Sequence, residues 1–119
     1  MDSIINGLLR IQQQLRILHW QTKSYARHKA YGKTYDELGD LIDEFMEVQM
    51  GKYGRFTLQD KAIPLENLEE MTVSDFIDDS IAFLTDLTNK VDPKDSDLLN
   101  IRDEMLGSVN QTKYLLTLK

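Results

Sequence analysis

The sequence predicts an all-α protein, a four-helix bundle with one long crossover between its second and third helices. Three observations carry this expectation. Apolar residues recur at helical steps of three and four in four segments, no segment alternates convincingly as a strand would, and the middle connection is about twenty residues long while the other two are short. A link of that length can span a bundle from end to end, which a short-looped up-down-up-down bundle never needs. The alternative is an up-down bundle with a loose loop. At 119 residues the chain suits one bundle, residues 1-119, and is too short for two independent cores.

The first helix, expected over about 2-24, starts near Asp2 or Ser3 and lines up Ile4, Leu8, Ile11, Leu15 and Leu18 as a core-facing stripe. The second, over 28-50, places Tyr31, Tyr35, Leu38, Ile42, Phe45 and Gln49 along one face, and Gly51 reads as its end. Next comes the long stretch from Gly51 to Met71, with Gly54 and Pro64 and no sustained periodicity. The third helix, over 73-91, is expected to be capped by the hydroxyl of Thr72 or Ser74. Asp75, Asp78 and Asp79 favour its positive start, and Phe76, Ile77, Ile81, Phe83 and Leu84 are expected inside. After the turn at Val91 to Ser96, the fourth helix, over 95-118, carries Leu98, Ile101, Met105, Val109, Thr112 and Leu116 on one stripe.

Composition narrows the function classes. With 41% hydrophobic and 29% charged residues the chain reads as globular rather than disordered. The absence of cysteine removes disulfides, thiolate nucleophiles and zinc-thiolate sites. No export signal and no apolar run near ~20 residues is present, so a cytoplasmic protein with no membrane contact is expected. The net charge of -6 divides unevenly, with +5 over residues 1 to 35 and -11 beyond them. An acidic body disfavours nucleic acid and attracts cations, although the first 35 residues leave room for a local basic patch. Gly51-Lys52-Tyr53-Gly54 lacks the spacing of a phosphate loop.

The residues that carry chemistry are two histidines, His19 and His28, and the carboxylates of the second helix. At about 100° per residue, Asp36, Asp40, Asp43 and Glu47 share one arc opposite Leu38 and Ile42, facing away from the core. Acids spaced four, three and four apart repel, so water, a basic partner or a cation must offset them. Gly39, Met46 and Met50 form a small apolar strip beside the acids, expected to point outward as an interface. A tolerated glycine with two methionines reaching the third helix is the alternative. Asp43 stands about 22 Å along a straight helix from His28, at ~1.5 Å per residue, so the two cannot share an ion within one molecule. Antiparallel pairing of two such helices about a two-fold axis would bring His28 of one copy to Asp43 and Glu47 of the other, with His19 within reach.

The run His19-Trp20 through Tyr25 to His28, followed after fifteen residues by Asp43 and four later by Glu47, resembles the Dps proteins, the mini-ferritins of bacteria. The likeness is strong over residues 15 to 50 and loose over 92 to 119. It implies a ferritin-like bundle and a two-fold homo-oligomer, extending to a dodecameric shell. It also implies an intersubunit ferroxidase-type centre that oxidises Fe(II) with His19, His28, Asp43 and Glu47 as metal ligands. Beside that set, Asp36 and Asp40 are candidates for auxiliary acids, and the strip of Gly39, Met46 and Met50 is the interface expected from the helical angles. The chain also looks like small ferritin-like proteins encoded by large tailed phages, which would place it in the host cytoplasm. It departs from the Dps pattern in three ways: a His19 to His28 gap about three residues short, Gly32 where a further aspartate is usual, and no basic N-terminal tail.

Mixed imidazole and carboxylate ligands suit iron, and also Zn or Mn. The in-bundle di-iron alternative needs Glu-x-x-His, whereas Arg16 and Tyr25 precede the histidines by three. His19 lies on the stripe of Leu8 and Leu15, so a buried core histidine beneath a capping Trp20 stays open, as does a plain surface role for His28. A non-catalytic ferritin-like assembly or adaptor protein, keeping the bundle and dimer face without iron chemistry, is the second reading.

Overall fold

In the computed structural model, which describes residues 1–59, 63–68 and 70–118, four α-helices pack as a bundle and no strand occurs among those residues. Helix α1 spans Asp2–Gln21, α2 Tyr25–Tyr53, α3 Glu70–Asp86 and α4 Ser96–Leu115, with a 3-10 turn at Leu87–Asn89. The expected stripes form the core. Ile4, Leu8, Ile11, Leu15 and Leu18 of α1 meet Tyr31, Leu38, Ile42 and Phe45 of α2, Phe76, Ile77 and Leu84 of α3, and Leu98, Ile101, Met105 and Val109 of α4. Ile81, Phe83 and Leu116 pack half-buried against this cluster. Close approach of α1 and α3 is set at Gly7, where a Cβ would sit 2.2 Å from the Phe83 ring.

The crossover is fixed by polar contacts along α1. The Gln59 backbone N–H donates to Asp2 at the start of α1 (3.1 Å), and the Gln21 amide donates to Asn67 at its end (2.7 Å). Between them, Gln14 is fully buried and bonds the backbone of Glu66 in both directions. Its amide N donates to the Glu66 carbonyl at 2.8 Å, and its amide O accepts from the Glu66 N–H at 2.9 Å. The link therefore travels the length of α1, and α3 starts at the end of the bundle where α2 starts. Gln14 is tolerated among apolar neighbours because its own buried amide is satisfied at both ends by the Glu66 backbone.

Helix ends differ from the periodicity reading by several residues, each for a local reason. Thr22 leaves the helical conformation (ψ 144°) and Ser24 caps α2 by accepting from the Arg27 N–H at 3.2 Å. Hence α2 begins at Tyr25 and not near 28, and His28 lies inside its first turn. Gly51 is helical. It is Gly54, at φ +86°, that ends α2, its N–H reaching the Met50 carbonyl at 2.8 Å. Thr72 and Ser74 lie within α3, so neither is its cap. Asp95 precedes α4, yet its carboxylate turns to α2 instead of capping: Lys52 donates to it at 2.9 Å and Tyr53 at 2.5 Å, while Lys52 also reaches Asp97 at 2.8 Å. Farther along, Thr34 bonds Thr112 and Ser108 donates to Glu37 at 2.7 Å, fixing α2 and α4 antiparallel.

Candidate metal centre

The three-residue turn between α1 and α2 folds His19 back onto His28. Their rings stack with centroids 3.8 Å apart and planes 16° from parallel. Each ring also binds the other residue's main chain, His19 Nδ1 lying 2.7 Å from the His28 carbonyl and His28 Nδ1 2.8 Å from that of His19. A carbonyl oxygen only accepts, so both Nδ1 atoms carry the proton. In the neutral rings Nε2 then keeps its lone pair, the arrangement that second-layer hydrogen bonds impose on metal-binding histidines.

Gly32 makes this stack possible. A Cβ there would stand 2.8 Å from Cε1 and 2.9 Å from Nδ1 of His19, so any larger residue would push the ring aside. Gly32 and the short connection between the histidines act together here, one leaving the space that the other's fold-back fills. Tyr35 meets the His19 ring edge-on at 5.5 Å, and Arg16 lies over the Tyr35 ring at 4.9 Å. Both histidines are half-buried and hydrogen-bonded. Trp20, expected to cap the core, is 66% exposed. It falls one position past the inward stripe, where α1 is ending.

An open depression of about 510 Å³ is lined by His19, His28, Tyr35 and Asp36. Along the same helix, a second one of about 230 Å³ is lined by Arg16, Gly39, Asp40 and Asp43. The four acids Asp36, Asp40, Asp43 and Glu47 are all exposed, and none pairs with a cation among the described residues. They occupy the outer face of α2, as their spacing requires.

Within one chain the ligand set does not converge. No group of three or more His, Asp or Glu able to hold a metal occurs among the described residues. The stacked rings do not form a chelate either, because an imidazole binds an ion in its own plane at about 2.0–2.1 Å. Two nearly parallel planes cannot share such an ion until one ring turns. The apolar strip also differs from its expectation. Gly39 faces α1, where Gln12 would crowd a Cβ at 2.8 Å, and Met46 packs half-buried on the chain's own core. Met50 is half-buried as well.

No helix among the described residues is long and apolar enough to cross a membrane. No solved structure matches the chain. It is 33% identical over 119 residues to the "Uncharacterized 14.6 kDa protein in mobD-ri intergenic region" of Enterobacteria phage T4, covering 99% of this chain and 88% of that protein. A family model, "Family of unknown function (DUF5856)", matches residues 19–116, a span that opens on His19 and takes in His28, the acid face of α2 and all of α4. The chain, a four-helix protein similar to a phage protein, belongs to the DUF5856 family of unknown function.

Proposed function

We propose that the chain is a ferritin-like bundle that binds iron between two copies of itself and oxidises Fe(II), which is its substrate. His19 and His28 of one copy supply imidazole nitrogens, and Asp43 and Glu47 of the two-fold partner supply carboxylates. Asp36 and Asp40 draw cations toward the groove. The observation that carries the reading is the double Nδ1 anchor, which leaves each Nε2 the lone pair an ion takes; because the rings stack nearly parallel, one of them releases its anchor and turns before both reach a single ion. The four uncompensated acids on the outer face of the same helix support the second half of the set. Zn and Mn suit these donors too. The chain's own residues hold the ion and keep the imidazoles in one tautomer, the charge of the acids is offset by the ion they bind, and dioxygen or peroxide accepts the electrons.

The reciprocal histidine bonds favour a second reading. They fasten α1 to α2 with no metal at all, as a non-catalytic assembly or adaptor protein would need. Iron(II) added without oxygen and then aerated separates the two. Wild type is expected to oxidise it faster than buffer, and an Asp43→Ala, Glu47→Ala variant to lose that excess. Equal rates for wild type, variant and buffer would leave only the structural role.

A further inference from the structure

The outer face of α2 changes sign along its length. Lys29 and Lys33 stand toward its N-terminal end, Asp43 and Glu47 toward its C-terminal end, and all four are exposed. At about 100° per residue they share an arc of roughly 80°. The flanks of α2 are taken by α1 and α4, and this face is left uncovered among the described residues. A helix face that is positive at one end and negative at the other is complementary to its own inverted copy.

We infer that this face binds a second copy of the chain, α2 against α2, antiparallel about a two-fold axis passing near Leu38. Lys29 then meets the partner's Glu47 and Lys33 meets the partner's Asp43, each pair occurring twice by symmetry. The same register sets Tyr25, 73% exposed, opposite the partner's Gly51, where a Cβ would meet nothing within 4 Å. An exposed aromatic ring and an open glycine thus fall in step with the four ion pairs. Lys33 is held meanwhile only by surface contacts, 3.6 Å to Glu37 and 3.1 Å to Gln111, which it can exchange. The centre opposes pairing, since Asp36 faces the partner's Asp40. The lysines therefore decide the register. A parallel arrangement would set Lys29 and Lys33 against their own copies and the acids against theirs, and like charges face to face reject it. The inference rests on the two-fold pairing of the proposed function and assigns the contacts that hold the pair while iron is absent; in the iron-bound state Asp43 and Glu47 exchange the lysines for the ion.

Reversing charges tests it. Light-scattering mass after size exclusion, at tens of micromolar protein with EDTA present, is measured for wild type, for Lys29→Glu/Lys33→Glu, for Asp43→Lys/Glu47→Lys, and for the two variants mixed in equal amounts. Wild type is expected at dimer mass or above, each variant alone below it, and the mixture back at the wild-type mass, because every pair in the mixed dimer is again opposite in sign. Recovery in the mixture also shows that both variants fold. The milder Lys29→Glu substitution, confined to an exposed side chain, is expected to raise the dissociation constant by about tenfold or more. A monomeric wild type, a double variant that keeps its mass, or a mixture that stays dissociated overturns the inference. With iron excluded, a charge-controlled dimer that fails to oxidise Fe(II) leaves this surface standing and removes only the ferroxidase reading.

Discussion

His19, His28 and Gly32 form one unit in which each residue explains the others. The short turn brings the rings together, the carbonyls fix their tautomers, and the missing Cβ leaves room for the stack. Replacing Gly32 by alanine sets two opposed effects of similar size. Helix propensity gains about 1 kcal/mol, and displacement of the ring loses a hydrogen bond of about 1 kcal/mol. Thermal stability is therefore expected to change by less than about 1 kcal/mol, whereas the His19 Nδ1 proton, now held on the His28 carbonyl, loses its protected signal in proton NMR. Persistence of that signal would mean that the ring does not depend on the glycine. The sequence made both histidines legible as a pair, because the chain has no others. Their stacking was not legible, since it depends on a turn that ends α1 at Gln21 and starts α2 at Tyr25.

The crossover and the junction of α2 with α4 govern the elements. Nothing in the sequence singles out Gln14 among the three glutamines at 12 to 14, and only the passage of Glu66 beside it shows why a polar side chain is buried there. Gln14→Leu keeps the volume but leaves a part-buried N–H and carbonyl without partners, at about 1–3 kcal/mol each if no water replaces the amide. The expected result is lower thermal stability, with the Glu66 amide exchanging faster than amides of α1. Unchanged exchange there would show that the link is held by other contacts. At the opposite end, Tyr53 and Lys52 hold the Asp95 carboxyl below its ordinary 3.8, and Lys52 does the same for Asp97. The two carboxylates raise Lys52, and Asp95 raises Tyr53, above their ordinary 10.5 and 10.0. Depressed carboxyls stabilise the fold above their unfolded values and lose that contribution as pH falls through the folded ones. The raised Lys52 and Tyr53 contribute below about pH 10 and lose it as pH rises further. Asp95→Asn is thus expected to melt below wild type from about pH 5 to 9, with the difference shrinking as pH drops under 3.8. A gap that stays constant into acid would assign the loss to packing instead of charge.

For the whole molecule, the periodicity of the apolar residues was enough for the four helices, and the length of the middle segment was enough for the crossover. Both follow from burial, which repeats along the chain and can be counted. Helix ends were less legible because they hang on single residues such as Ser24 and Gly54. The strip of Gly39 and Met46 is half-buried in the single chain for a related reason: helical angle gives a direction, but not how far round Gln12 and the core reach beside it. The acid face was placed correctly because charged residues outside the core have one place to go. Its pairing with the histidines needs a second copy, and that dependence is the central claim. Subunit mixing tests it most directly. A His19→Ala/His28→Ala variant and an Asp43→Ala/Glu47→Ala variant are each expected to oxidise Fe(II) no faster than buffer. After equal amounts are allowed to exchange subunits, half of the dimers are mixed and each carries one intact site of two, so about a quarter of the wild-type rate is expected to return. No recovery in a mixture shown to contain mixed dimers, or full activity in either variant alone, would contradict a site shared between two copies.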